Sequence, residues 1–242
     1  MIDTHSIEFT LTAAATDWKL EMPLSDFVEL IINTATAHAN RLGIGFGTLS
    51  KSGASWVLSR LCITLGEMPQ LGLKYRLTTW IQDWSRMFSR RCFRLENAET
   101  GATIGWIHSV WMAIDLKTRR TVDLTAVIGQ MDGVLRPDIP FEGNSCGRLQ
   151  PPGHEDYGYD RVIRVADIDI NRHLTTKRYI DMLVNLWPLE HYTGHRVSGF
   201  EIAFKHEILY GATAHASRCG TASQITADGV TCALASFTFA DR

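Results

Sequence analysis

The 242-residue chain has no surplus of either charge: 24 Lys and Arg stand against 26 Asp and Glu, a formal net charge of −2. That excludes a nucleic-acid protein binding by bulk positive charge. Long apolar runs are absent as well. The longest uncharged stretch, Thr100 to Ile114, is bounded by Glu99 and Asp115 and falls short of the roughly 18 apolar residues of a membrane span. Cys62, Cys92, Cys146, Cys219 and Cys232 are odd in number and widely spaced, with no C-x-x-C. Neither zinc nor disulfide chemistry is expected, and reduced thiols in a cytoplasmic protein fit the pattern. The N-terminal MIDTHSIEFTLTAAATDWKL has no basic stretch followed by an apolar run, so no signal peptide is expected. No G-x-S-x-G elbow, P-loop or G-x-G-x-x-G occurs, which argues against a serine α/β-hydrolase and against nucleotide chemistry.

What is present is ordinary globular composition, 45% hydrophobic and 21% charged, enough to bury a real core. Ile7, Phe9 and Leu11 alternate with polar neighbours and predict a strand. A helix is expected from Ser25 to about Ala39, apolar on most sides and ended by Gly43, Gly45 and Gly47. β-rich runs follow at Trp56 to Leu65, Leu73 to Trp84, Ser89 to Leu95 and Ile104 to Asp115. From Gly129 to Tyr159 periodicity vanishes and Pro137, Pro140, Pro151 and Pro152 cluster, the composition of a linker. The first pattern then recurs: a strand at Arg161 to Val165, an apolar-striped helix from about Thr175 to Leu186, and strands at Val197 to Ile208, Thr213 to Cys219 and Val230 to Phe239. ITLGEMPQLG (Ile63 to Gly72) and IAFKHEILYG (Ile202 to Gly211) keep a constant spacing of 139 residues. The division expected is residues 1–128, a linker over 129–159, and residues 160–242: two α+β units, each a sheet wrapping a helix.

VADIDINRHLTTKRYIDMLVN (Val165 to Asn185) resembles the D-x-D-x-N-x-H-x-N-N-x-x-Y-I signature of acyl-acyl carrier protein (acyl-ACP) thioesterases, plant and bacterial. WVLSRLCITLGEMPQLG, the following Trp80-Ile81 and SVWMAIDLKTRR (Ser109 to Arg120) resemble that family's N-terminal landmarks. The resemblance implies a double hotdog fold, with an acyl pocket in the N-terminal unit, catalysis in the C-terminal one, and hydrolysis of fatty acyl-ACP to free fatty acid. Carried over residue by residue, it assigns catalysis to Asp169, Asn171, His173 and Glu207. The family's Asn-Asn pair is Thr175-Thr176 here, residue types that cap a helix start. No cofactor and no metal are implied. The partner implied is acyl carrier protein bearing its chain on phosphopantetheine, with no nucleic acid and no membrane span. A homodimer is left open.

The residues themselves suit such chemistry. Thioester hydrolysis needs a base, an oxyanion donor and a group to orient them. In an extended chain Asp167, Asp169, Asn171 and His173 project from one side. Imidazole exchanges protons near neutrality, and Asn donates N–H without titrating. Read without the resemblance, the same run is a polar strand end before a helix, and Glu207 and His206 are solvated strand residues. His191 and His195 stand four apart between Pro188 and Gly194 with no H-E-x-x-H, and read as surface residues. Nothing in the first half resembles the D-x-D-x-N-x-H run, and the repeat puts Met68 opposite Glu207. The first half is therefore expected to hold the acyl chain, with Ile31, Trp56 and Met68 as wall residues. Met22, Trp80 and Trp111 are further candidates. Among basic groups that include Arg86, Arg90, Arg91, Lys117, Arg119 and Arg120, those beside the motif, Arg172, Lys177 and Arg178, are expected to meet the acidic carrier protein. The alternatives carried are an acyl-CoA thioesterase, a hotdog hydratase or dehydratase, and a non-catalytic acyl-binding module.

Overall fold

Most of the alternating runs become strands, and the ten strands among the described residues join one antiparallel sheet. The computed structural model describes residues 3–169 and 172–242. β1 (Thr4–Thr10), β2 (Ala54–Leu65), β3 (Lys74–Trp84), β4 (Ser89–Asn97) and β5 (Thr103–Asp115) form one half. β6 (Tyr157–Val162), β7 (His195–Phe204), β8 (Thr213–Cys219), β9 (Ala222–Ala227) and β10 (Val230–Asp241) form the other. α1 (Leu24–Arg41) and α2 (Phe46–Lys51) lie between β1 and β2, α3 (Leu124–Val127) follows β5, and α4 (Thr176–Val184) and α5 (Leu189–Gly194) lie between β6 and β7.

The strand order, β1-β3-β4-β5-β2-β7-β10-β9-β8-β6, reads the same in structural terms from either end. Its middle is the β2–β7 pair, in register from Arg60 with Ala203 to Thr64 with Gly199 and centred on Cys62 opposite Glu201. Cys62 and Glu201 are 139 residues apart, the spacing of the sequence repeat. Duplication and pseudo-twofold axis are thus one fact seen twice.

Alternation along β2 and β7 sorts the two faces. Leu61, Ile63, Phe200 and Ile202 point inward to a single core that spans both halves and takes in both main helices. α1 buries Phe27, Val28, Ile31 and Ala35 and leaves a narrow polar stripe at Glu29, Asn33, Thr36 and Asn40. Its last turn carries His38 and Arg41, suited to the helix dipole. Gly43 follows in the left-handed conformation at φ +74°, which a side chain would strain. The opposite sheet face receives the linker. Asn144 N–H donates to Thr64 Oγ1 (3.2 Å), Arg60 to the Gly147 carbonyl (3.0 Å), and Gly147 N–H to Glu201. Phe141 packs edge-on against Trp106. The proline-rich segment is therefore laid along the seam on the side away from the helices.

Several boundaries differ from the sequence pattern. β6 begins at Tyr157, inside the expected linker, and β7 stops at Phe204, so Glu207 lies beyond the strand. The second long helix ends at Val184 and the chain restarts in α5 after Pro188. β9 was not expected because its outward positions, Gln224 and Thr226, leave only Ile225 as a strong apolar signal between two alanines. Arg91, read as a basic surface group, is buried and donates to His38 Nδ1 at 2.7 Å, tying β4 to α1. Among the described residues no helix is long and apolar enough to cross a membrane.

The seam makes a stability prediction. Ile202 is fully buried opposite Leu61, so Ile202→Ala should cost about 2–5 kcal/mol in a single denaturant transition shared by both halves. A loss below about 1 kcal/mol, or two separate transitions, would show that the halves do not share a core.

Candidate active site

β2 pairs with β5 along its length but with β7 only from Arg60 onward, and a bulge lies between Leu58 and Arg60. Past that point Ala54 to Ser59 and the chain after Phe204 separate. A cavity of about 640 Å³ opens there, lined by Trp56, Leu58 and Trp111 from the first half and by Asp169, His173 and Glu207 from the second. A smaller cavity of about 230 Å³ runs between α1 and the first-half strands. The two share Ile32, Ser55, Trp56 and Trp111 as common wall. Trp56 is fixed there by its indole N–H on the Ile44 carbonyl (2.7 Å) and by edge-on contact with Trp84.

The motif does not reach this cleft as an extended strand. Val165–Asp167 is a 3-10 turn, and the chain then folds back on itself. Asp169 N–H donates to the His173 carbonyl (2.9 Å) and Arg172 N–H to the Asp169 carbonyl (3.0 Å). Arg172 sits at φ +64°. The Asp169 carboxylate accepts from the His173 backbone N–H at 3.0 Å. Asp167 goes elsewhere: 3% exposed, it binds Arg161 at 2.5 Å and braces the turn. Thr175 caps α4, accepting from Arg178 N–H. Asn171 lies outside the described residues.

His173 Nε2 stands 3.2 Å from Glu207 Oε2, and the other Glu207 oxygen is ion-paired with Arg119. The segment carrying Glu207 is strapped down by Leu174 N–H on the Ile208 carbonyl (2.8 Å) and Tyr179 Oη on the His206 carbonyl (3.2 Å). Burial, helped by Arg119, lowers the His173 pKa below its ordinary value, against the pull of Asp169. Its imidazole is therefore neutral at cell pH and able to accept a proton.

The same loop occurs in the first half. Asp17 N–H donates to the Glu21 carbonyl (2.8 Å), Leu20 N–H to the Asp17 carbonyl (3.0 Å), and Leu20 has φ +63°. Glu21 bridges Gln70 just as His173 bridges Leu209. The likeness is one of backbone, and in sequence the first half has no counterpart of the motif. The described backbone bonds and the positive φ recur, but D-W-K-L-E shares only its aspartate with D-I-N-R-H. Glu21 stands where His173 would and is neutralised by Lys19 (3.0 Å) and Arg242 (2.7 Å). Met68 takes the place of Glu207, buried in the core.

Of the expected wall residues, Trp56 lines both cavities and Trp111 joins it. Ile31 and Met68 do not; both are core, as are Met22 and Trp80, and the α1 residue facing both cavities is Ile32, with Ala35, Thr36 and Ala39 on the smaller one. Arg172 is exposed at the tip of the loop. Lys177 is held by Asp26 and Glu29 of α1, and Arg178 by Asp181 and Asp167, so neither is a free cation for a partner. His191 and His195 are not plain surface: their rings stack at 4.5 Å beside Phe239. Stacked faces do not converge on a metal.

None of the five cysteines is among the residues that line the two cavities. All five are free, and burial pushes Cys62 and Cys92 up to about 12, far from a reactive thiolate. Cys146 contacts His108, whose pKa burial lowers to about 4, so the pair is neutral. Cys219 lies near His154 and Asp156, but its sulfur is 3.4 Å from both ring nitrogens, midway between them rather than along a lone pair.

Comparison with known proteins follows this geometry. The acyl-ACP thioesterase N-terminal domain matches residues 3–130 and the acyl-ACP thioesterase C-terminal domain residues 155–239. The chloroplastic palmitoyl-acyl carrier protein thioesterase of Gossypium hirsutum is 23% identical over 78% of this chain and 47% of its own. The dodecanoyl-[acyl-carrier-protein] hydrolase of Cinnamomum camphora is 22% identical over 84% of this chain and 57% of its own. The chain thus spans about half the length of the curated relatives it matches. An acyl-ACP thioesterase structure from Bacteroides thetaiotaomicron superposes with a TM-score of 0.89 at 26% identity, covering 98% of both chains. The 12:0-ACP thioesterase from Umbellularia californica shares the fold, with a TM-score of 0.83 at 17% identity over 99% of this chain and 98% of its own. The fold is a double hotdog. With both of the family's domains matched in order across a duplicated sheet, this chain belongs to the acyl-ACP thioesterase family.

Proposed function

We propose that the chain hydrolyses the thioester of a fatty acyl-acyl carrier protein, releasing free fatty acid and the carrier's thiol. The observation that carries this reading is the His173–Glu207 pair in the wall of the larger of two cavities that share Ile32, Ser55, Trp56 and Trp111. The thioester carbonyl sits at the pair, and the acyl tail runs past Trp56 toward α1. Each buried CH₂ of that tail is worth about 0.8 kcal/mol. Neutral His173, oriented through Nε2 by Glu207, takes a proton from water as it attacks the carbonyl. The tetrahedral intermediate collapses, and the imidazolium returns the proton to the leaving thiolate. Asp169 holds the loop by accepting the His173 backbone N–H. Asn171, matched to the family motif, is assigned the oxyanion N–H.

For the acidic carrier, the exposed Lys117 and Arg120, chain neighbours of the cavity residue Arg119, and the exposed Arg172, next to His173, replace Lys177 and Arg178 as the docking cations. The site is assembled from one chain, so the reading needs no homodimer. A cytoplasmic location goes with the free cysteines. An acyl-CoA thioesterase, a hydratase or dehydratase, and a binding module without turnover are the outcomes an assay separates: thiol release from acyl-ACP against acyl-CoA, enoyl formation, or binding alone.

Substitutions test the assignment. His173→Ala, Asp169→Asn and Glu207→Gln should each lower kcat for acyl-ACP by ~10²-fold or more, and Asn171→Ala should lower it alike at every chain length. Near-wild-type turnover removes the residue concerned from the mechanism. Enlarging Ile32 or shrinking Trp56 should instead shift the product chain length with modest loss of rate. An unchanged product profile would move the acyl tail out of these cavities. In an NMR titration the His173 midpoint should lie below 6.5, and Asp169→Asn should lower it further, because a negative charge that favours imidazolium has been removed.

A further inference from the structure

The first half contributes more than a pocket. Arg119 belongs to the turn after β5, and its guanidinium crosses the seam to Glu207. That turn is firmly made. The Asp115 carboxylate accepts from Lys117 N–H (3.0 Å) and Thr118 N–H (2.7 Å). Arg119 N–H closes on the Asp115 carbonyl, and Asp115 N–H on that of Arg120, both at 2.9 Å. Within it Arg119 adopts φ +58°, a left-handed conformation that costs a non-glycine residue and persists only where its surroundings impose it. Leu116 of the same turn lines the larger cavity beside Arg119.

Resting on the hydrolase reading above, we infer that Arg119 is a positioning residue of the active site, holding the Glu207 carboxylate against His173 from the opposite half. The geometry is that of a clamp. Arg119 takes Oε1 while His173 takes Oε2. A carboxylate held by one oxygen alone swings about its terminal torsion; held by both, it presents one oxygen to the imidazole in a single orientation. Arg119 touches Glu207 rather than the thioester, so it acts through that residue. The charged and titratable groups that line the cavity with His173 are Asp169 on its own loop, Tyr179 of α4, Glu207, Lys205 and His206 after β7, and Arg119 from the first half. Arg119 is among the causes that lower the His173 pKa.

The test compares Arg119→Gln and Arg119→Lys in the full chain. Arg119→Gln should lower kcat for acyl-ACP about tenfold or more with KM within about threefold, and should move the acid limb of the kcat profile to higher pH. Arg119→Lys, keeping the charge, should leave that limb in place and recover part of the rate. Combined with Glu207→Gln, Arg119→Gln should add no further loss, since it acts through the residue already changed. An NMR titration of His173 reads the same effect without turnover: its midpoint rises in Arg119→Gln and stays in Arg119→Lys. An unchanged limb and midpoint in Arg119→Gln, or a loss confined to KM, would overturn the inference. Should the wild-type chain release no thiol from acyl-ACP, the hydrolase reading falls, while the His173 titration still decides whether Arg119 acts on this pair.

Discussion

Antiparallel pairing of β2 with β7 is the contact on which the rest depends. It merges two sheets into one, brings α1 and α4 into a common core, and fixes the pseudo-axis at Cys62 and Glu201. It also ends early. Because the pairing stops at Arg60 with Ala203 while β2 continues to Ala54, the strands diverge on one side, and the cavity that holds His173 and Glu207 is the space they leave. A longer seam would have closed the site.

Much of this was written in local sequence. Strand alternation, the helix over residues 24–41 and the non-periodic segment before β6 follow from burial periodicity and turn chemistry, which act over a few residues. The 139-residue spacing already contained the axis, since it equates the two residues that face each other at the seam. His173 and Glu207 were legible only through the resemblance. Their separation of 34 positions is closed by backbone bonds between the loop and the chain after β7, and no periodicity reports such bonds. The extended reading of the motif failed for a related reason: alternation of polar residues looks the same in a strand and in a loop that folds back through a left-handed residue at Arg172. Ile31 and Ile32 show a further limit. Both are apolar neighbours on α1, and only the direction of each side chain separates a core residue from a cavity wall.

The duplicated loop shows how one scaffold supports two outcomes. Backbone hydrogen bonds and a positive φ at Leu20 and Arg172 set the same turn in both halves, so the conformation belongs to the duplicated frame rather than to catalysis. The two copies differ in the side chains they carry. In one copy a histidine pairs with a carboxylate in the wall of an open cavity; in the other a glutamate is satisfied by Lys19 and Arg242. Preserving the turn while exchanging its side chains lets one copy specialise without disturbing the fold.

The linker adds a consequence of its own. Running from the end of the first half across the outer face of the seam before β6 begins, it makes the meeting of the halves an intramolecular event. Their encounter is governed by an effective concentration set by the tether, not by how much protein is present. A site assembled from two separate subunits would fall apart on dilution; this one survives it, and each chain carries its own copy however scarce it becomes.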